Sequence, residues 1–163
     1  MPRAEPPPTV DRAYALWGAR LVAYAHAVSG SREAAEDAVH TVFAHLAARP
    51  ELLQRAADPA AYLFASTRRE ALRQRGRRKP AARLEEGWLV AARGERLHAE
   101  DVLDIERAVA GLPDEQREAV TLRVWGGLTF AQMAQATGTP ERTLESRFRA
   151  ALEKLRLRLK GHA

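Results

Sequence analysis

The sequence predicts an all-α protein made of two small helical domains joined by a linker, with a helix-turn-helix in the C-terminal domain. Alanine, leucine and arginine dominate the 163 residues, and few segments alternate with the period of a strand. Residues 80–101 have a net charge of −2, against +5 for the segment before them and +2 for the segment after them. We therefore expect domains over residues 10–79 and 102–163, with residues 80–101 as the linker.

The N-terminal domain should contain three helices after a disordered tail, residues 1–9, whose prolines cannot continue a helix. The first helix is predicted over Val10–Ser29. Ser31 caps a second helix, and after a short irregular piece Asp58 caps a third, which continues to Lys79. The inward positions of the first helix are Tyr14, Trp17, Leu21, Tyr24 and Val28.

The C-terminal domain should begin with a helix over about 101–111, followed by three helical pieces. Gly126 and Gly127 end the first piece, and Thr129 opens the second with a capping box. Gly138 makes the next turn, and Thr139 as N-cap with Pro140 opens a long last helix. The buried stripe of the last helix is predicted to be Leu144, Phe148, Ala151, Leu152, Leu155 and Leu159.

The short helix, the turn and the long basic helix follow the pattern of a helix-turn-helix, whose second helix lies in the DNA major groove. A charged outer face is also usual for any solvated helix in a bundle, so the pattern alone leaves both interpretations open. The side chains that project together from the last helix are Arg142, Glu145, Ser146 and Arg149.

The run from Arg68 to Lys79 holds seven basic residues and one acid, and it follows Tyr62 and Phe64 on the same helix. Aromatic rings beside arginines suit single-stranded DNA, because bases stack on the rings while cations hold the phosphates. Core aromatics followed by a solvated basic helix end would leave the same pattern, so this alternative also stands.

The composition points to a polyanionic partner and away from catalysis. The pI is about 10.2 and the net charge is +5. The absence of cysteine excludes disulfides, thiol nucleophiles and thiolate zinc sites, and no phosphate loop or nucleophile elbow is present. We expect no enzyme activity, no cofactor, no metal and no small-molecule substrate. No apolar run reaches about 20 residues and no signal peptide is visible, so we expect a cytoplasmic protein without membrane insertion.

Both halves of the chain resemble the extracytoplasmic-function (ECF) sigma factors of bacterial RNA polymerase. The C-terminal segment LPDEQREAVTLRVWGGLTFAQMAQATGTPERTLESRFRAALEKLR is similar to the fourth region of that family. REAAEDAVHTVFAHLA is similar to its polymerase-docking helix, and DPAAYLFASTRREALRQRGRRK to its minus-10 segment. The resemblance implies a promoter-specificity factor whose partners are core RNA polymerase, promoter DNA and an anti-sigma factor, and it implies association with the nucleoid through the polymerase.

The resemblance also assigns expected roles to side chains of this sequence. Polymerase binding would involve Glu33, Glu36, Asp37 and His40. Minus-10 binding would involve Tyr62, Phe64, Arg68, Arg69, Arg73 and Arg75. Minus-35 binding would involve Arg142, Thr143, Glu145, Ser146, Arg147 and Arg149.

The sequence departs from the family pattern at positions that matter for DNA. Tyr62 stands where a Trp is common, Arg69 and Arg73 where Asn and Asp are common, and Glu145 at a position that is usually basic. Two alternatives therefore accompany the sigma-factor interpretation. One is a sigma mimic that binds an anti-sigma factor without touching DNA, and the other is an ordinary helix-turn-helix transcriptional regulator.

Overall fold

A computed structural model describes residues 5–77, 87–88 and 99–161 of the chain. These residues form helices and connecting turns without strands, which confirms the predicted all-α class. The α-helices in chain order are α1 Val10–Ser29, α2 Arg32–Ala48, α3 Glu51–Gln54, α4 Pro59–Arg77, α5 Ala99–Ala110, α6 Asp114–Val120, α7 Phe130–Thr137 and α8 Glu141–Lys160; a π-helical turn, Thr121–Trp125, continues α6.

Side-chain caps set the starts of the N-terminal helices at the predicted residues. The Ser31 hydroxyl accepts a hydrogen bond from the Ala34 amide at 3.1 Å, and Asp58 accepts one from the Ala61 amide at 3.0 Å. The range predicted for α1 is confirmed. The piece predicted to be irregular before Asp58 contains the single turn of α3, which buries Leu53.

The helices α1, α2 and α4 pack together through apolar side chains that include Leu21, Tyr24, Leu46 and Phe64. Tyr14 was predicted to face inward but is 58% exposed. Its ring meets the Phe43 ring edge-on with centroids 5.0 Å apart, so it lies at the rim of the α1–α2 contact rather than inside it.

The turns of the C-terminal half depend on two glycines. A Cβ on Gly126 would lie 2.5 Å from the Leu122 carbonyl oxygen, because the π-helical turn brings these two backbones together. Gly138 has φ 71°, a left-handed conformation that glycine adopts at little cost, and it ends α7 before α8 begins.

The start of α8 differs slightly from the prediction. Thr139 was expected to be the N-cap, but the N-cap is Pro140, whose ψ of 143° is extended, and the helix begins at Glu141. The Thr139 amide donates to the Thr137 hydroxyl at 3.2 Å instead. Of the predicted buried stripe, Leu144 and Ala151 are buried, whereas Leu152 and Leu159 are exposed because, at about 100° per residue, they lie at the edge of that stripe.

The two halves of the chain share one hydrophobic cluster, which joins residues of α1, α2 and α4 to Leu122, Leu128 and Met133. The helix α7 packs on α4, and α1 packs on the π-helical turn. Trp88 is 4% exposed; it packs with Ala27 of α1 and with residues of α5, α6 and α8.

Several predictions fall partly on residues outside the described ranges. These are the first four residues of the tail, the end of the third predicted helix after residue 77, and most of the linker. Within the predicted linker the described residues are 87–88 and 99–101, and α5 already begins at Ala99.

Candidate nucleic-acid interface

The outer face of α8 presents four of the predicted minus-35 residues to solvent. At about 100° per residue, these four positions fall within a sector of roughly 100° around the helix. Thr143 is also exposed, on the flank of this sector. The four residues of the sector are Arg142, Glu145, Ser146 and Arg149, and all are exposed.

Arg147, the sixth predicted minus-35 residue, is directed toward α6. Its guanidinium lies 3.1 Å from the Glu115 carboxylate, and its side chain is 26% exposed. The ion pair and the edge-on contact between Phe130 and Phe148, with centroids 5.8 Å apart, hold α8 in place against α6 and α7. Arg147 therefore supports the helix that carries the exposed sector.

The four predicted minus-10 arginines of α4 divide into two pairs on different sides of the helix. Arg69 and Arg73 are exposed. Arg69 lies 3.3 Å from the Ser66 hydroxyl, and the Arg73 Nε donates to Glu70 at 3.0 Å. These two guanidinium groups remain on the surface of the N-terminal half, where a phosphate backbone can approach them.

The two aromatic residues predicted for minus-10 binding lie in different environments. Tyr62 is half-buried and keeps part of its ring at the surface. Phe64 has 0% exposure, and its ring centroid is 5.5 Å from that of Tyr24. In this structure Phe64 is part of the core, because its position on α4 faces α1, and its ring is not available to stack on a base.

Arg68 meets a carboxylate of the C-terminal half. Its Nε donates to Glu118 at 2.6 Å, and the Tyr24 hydroxyl donates to the same carboxylate oxygen at 2.7 Å. The hydrogen bond to Glu118 raises the pKa of Arg68, against the opposing effect of burial. Burial and then Glu118 raise the pKa of Tyr24 well above 10.0.

Arg75 lies two turns after Arg68 on the same side of α4, and it makes a second contact between the N-terminal and C-terminal halves. Its guanidinium lies 3.1 Å from Asp114 and donates to the Val28 carbonyl at 3.4 Å. Burial alone would raise the pKa of Asp114, but Arg117 and Arg75 outweigh it and hold that pKa below 3.8. Asp114 and Glu118 were not predicted as functional residues, because carboxylates in the first turns of a helix are normally explained by the helix dipole.

The predicted polymerase-binding residues lie together on the outer face of α2. Beside them is an open groove of about 660 Å³ between α1 and α2, with Tyr14, Val39 and Phe43 in its wall. The sequence did not indicate this groove, because Tyr14 was predicted to be buried in the core of the N-terminal half. The exposed residues of the face are Glu33, Glu36, Asp37 and His40.

None of the helices in the described part of the chain combines the length and the apolar content that a membrane span requires.

Comparisons with known proteins identify both halves. The family model of Sigma-70 region 2 matches residues 13–80, and that of Sigma-70, region 4 matches residues 103–155. The chain is 44% identical over 50 residues to the ECF RNA polymerase sigma factor RpoE of Cereibacter sphaeroides. It is 46% identical over 46 residues to the ECF RNA polymerase sigma factor SigK of Mycobacterium ulcerans.

These two matches cover 31% and 28% of this chain, and they span 28% and 25% of the length of the two curated relatives. A solved structure, the sigma factor RpoE in complex with the anti-sigma factor NepR from Bartonella quintana, is similar over a longer range. That match covers 92% of this chain and 96% of the other, with a TM-score of 0.72 and 25% identity.

The two family models occur in the order predicted from the sequence, and together they match most of the chain. The presence of both regions in one chain does not favour the alternatives of a sigma mimic or an ordinary helix-turn-helix regulator. The chain therefore belongs to the ECF sigma-factor family.

Proposed function

We propose that this protein is a promoter-specificity subunit of bacterial RNA polymerase, which binds the core enzyme in the cytoplasm and directs transcription initiation. The observation that carries the proposal is the match to region 2 and region 4 in one chain, in that order. In this function the polymerase performs the chemistry, and the sigma factor recognises the promoter and opens the DNA strands.

The minus-35 element would be read by the exposed sector of α8. Arg142 and Arg149 are cations seven residues apart, which suits contacts to phosphates or to guanine edges on one groove wall. Each good bidentate base contact discriminates by about 1–3 kcal/mol. Glu145 lies between them and repels phosphate, but its carboxylate suits the amine of a cytosine, so it would read a base rather than bind the backbone.

The minus-10 element would be held by α4. Tyr62 offers a partly exposed ring on which an unstacked base can pack, and Arg69 and Arg73 offer charge for the backbone. Extruding a base costs a few kcal/mol, which the stacking and the phosphate contacts offset. Phe64 is left out of this surface because its ring is buried.

The exposed acidic face of α2 would dock on the polymerase. Three carboxylates and His40 give that face a negative potential, which suits a basic partner surface, and the adjoining groove with Tyr14 offers apolar contact. We also propose an anti-sigma factor as a regulatory partner, which is supported by the likeness to a sigma factor solved with one.

Reconstitution with core RNA polymerase tests the function. The protein should form a complex with the core enzyme and produce transcripts with discrete start sites on genomic DNA. In the same assay Glu36→Lys should weaken core binding, because it places a cation on the acidic face. Glu51→Lys makes the same charge change at an exposed position of α3, and it should bind core polymerase like the wild type. Core binding without any initiated transcript would contradict the proposal.

A further inference from the structure

The helix α8 meets α7 through an aromatic contact close to its exposed sector. Phe148 lies one residue before Arg149 and two residues after Ser146. Its ring meets the Phe130 ring with 5.8 Å between the centroids and 68° between the planes. Because Phe148 and the exposed sector belong to the same helical turns, the position of the Phe130 ring determines the direction in which the sector points.

The Phe130 ring is covered by an arginine of the π-helical turn. The guanidinium carbon of Arg123 lies 5.0 Å from the centroid of that ring, which is the distance of a cation–π contact. The same guanidinium donates from Nη1 to the Leu128 carbonyl at 2.8 Å. Arg123 is an exposed residue and was not predicted to have a function, because a charged side chain on the outer face of a helix is normally explained by solvation.

The Leu128 carbonyl belongs to the turn that sets the start of α7. The Leu128 amide donates to the Leu122 carbonyl at 3.2 Å, and the Gly126 amide donates to the Thr121 carbonyl at 2.9 Å. Both backbone polar groups of Leu128 are therefore bonded to the π-helical turn, the amide through the backbone and the carbonyl through Arg123. Arg123 thus contacts the turn before α7 and the first ring of α7 at once.

We propose that Arg123 is a positioning residue for promoter recognition, which sets the orientation of α8 through Phe130 and Phe148 without contacting DNA. This inference rests on the proposed function, because it treats α8 as the helix that reads the minus-35 element. A guanidinium suits the role, since one planar group covers an aromatic face and donates to a carbonyl at the same time. The ammonium of a lysine is a compact point charge and does not combine these contacts in the same way.

A small rotation of α8 is enough to lose a base contact. Helical side chains end about 5–6 Å from the helix axis, so a rotation of roughly 10° moves them by about 1 Å. Hydrogen bonds need donor–acceptor distances of about 2.7–3.2 Å, and a shift of that size breaks them. The loss of affinity is limited by the strength of the contacts that restrain the helix. A cation–π contact together with a hydrogen bond from a charged group corresponds to a factor of roughly ten.

Two other roles of Arg123 predict different results. An arginine that contacts a phosphate contributes equally to all DNA sequences, and its loss lowers the salt slope by about 0.9. An arginine that only stabilises the fold changes the folded fraction, which lowers the affinity for all sequences by the same factor. A positioning residue lowers the affinity for the recognised sequence alone. The ratio of specific to non-specific affinity therefore separates the three roles.

Binding to two duplexes tests the proposal. The first probe is the sequence that the wild-type chain enriches most from duplexes with a random central segment, and the second has the same base composition in shuffled order. Fluorescence anisotropy over a range of salt concentrations gives both affinities, and their quotient is the specificity ratio. Arg123→Met removes the charge and the donors but keeps an unbranched side chain. Arg12→Met makes the same change at an exposed position of α1 and is the matched control.

Arg123→Met should lower the specificity ratio about tenfold, while its affinity for the shuffled duplex and its salt slope stay close to those of Arg12→Met. Arg123→Lys keeps the charge, and its ratio should still lie below the wild-type value. Phe130→Leu removes the ring and keeps most of the apolar volume, so it should lower the ratio as well. Combined with Arg123→Met it should lose little more than the larger single loss, because both changes act through one contact.

The specificity ratio does not depend on the folded fraction, so it is valid for a variant that is partly unfolded, and Arg123→Lys replaces Arg123→Met if the latter does not fold. An unchanged ratio would overturn the positioning role. Equal losses for both duplexes would also overturn it. Such losses assign Arg123 to a phosphate if the salt slope falls by about 0.9, and to stability alone if the slope is unchanged.

In each of these cases the wild-type chain still prefers the enriched duplex, so the proposed function stands without the positioning role. If the wild-type chain enriches no sequence, α8 does not read DNA. The minus-35 part of the proposed function and the role of Arg123 then fail together.

Discussion

Tyr62 and Phe64 are two residues apart on α4, and the structure predicts opposite consequences when each is truncated. Phe64 is fully buried against Tyr24, whereas Tyr62 is half-buried with part of its ring at the surface. Phe64→Ala should therefore lower the free energy of unfolding and Tyr62→Ala should lower strand affinity. The pair tests which of the two predicted aromatics belongs to the minus-10 surface.

The magnitudes follow from burial. Truncating a buried Phe to Ala removes its transfer free energy and leaves a cavity, a loss of about 3–5 kcal/mol. A protein of this size loses about 2–4 °C in Tm per kcal/mol, so we expect Phe64→Ala to melt roughly 6–20 °C below the wild type. Tyr62→Ala removes a stacking surface worth about 1–3 kcal/mol per base, or roughly 5- to 150-fold in strand affinity.

Urea denaturation followed by circular dichroism measures the first effect, and fluorescence anisotropy of a labelled single strand at low salt measures the second. Phe64→Leu is the control, because it keeps most of the apolar volume and should unfold much closer to the wild type than Phe64→Ala. If Phe64→Ala unfolds at the wild-type urea midpoint and loses strand binding, Phe64 stacks on a base and the assignment of its ring to the core is incorrect.

Three further predictions concern the recognition helix, the turn before it and the buried phenol. Arg149→Ala should weaken promoter binding and reduce its salt slope by up to about one unit, while Arg12→Ala, at an exposed position on α1, should leave the slope unchanged; equal slopes for both would remove Arg149 from the interface. Gly138→Ala, at φ 71°, should destabilise by about 1–2 kcal/mol in urea denaturation. Gly76→Ala, inside α4 with open space around it, should raise the free energy of unfolding by about 0.5–1 kcal/mol. If both glycine variants change the free energy of unfolding in the same direction, the assignment of a special backbone conformation to Gly138 is wrong. Since the pKa of Tyr24 is raised, its contribution to stability should be complete below pH 10.0 and lost as pH rises through the raised value. Tyrosinate absorbance should then show one of the three tyrosines ionising last, and Tyr24→Phe should remove that component.

The sequence predicted the local structure well because local chemistry determines it. Ser31, Asp58 and Thr129 are caps whose side chains accept hydrogen bonds from amides three residues later, and the helices begin where those caps predict. The prediction for the start of α8 was one residue early, since Pro140 takes an extended ψ that a pattern of residue types does not reveal. The exposed sector of α8 was likewise predictable, because it depends only on helical periodicity.

The burial and the contact partners of the α4 side chains could not be predicted in the same way. Tyr62, Phe64, Arg68 and Arg73 all lie on one amphipathic helix, and a periodicity argument cannot tell which face a distant segment covers. The structure assigns Phe64 to the core and Arg68 to a carboxylate that is 50 residues later in the chain. No local pattern marks Glu118 as the partner, since it is one of several acids in a helix that also needs them near its positive end.

The sequence alone determined the all-α class, the positions of most helices, the helix-turn-helix and the resemblance to ECF sigma factors, because caps, turns and apolar periodicity act over a few residues. Only the tertiary structure decided that the two halves share a hydrophobic cluster and that Glu118 and Asp114 cover Arg68 and Arg75. The physical reason is that burial and ion pairing depend on which surfaces meet in space, and those surfaces come from segments that are distant in the chain.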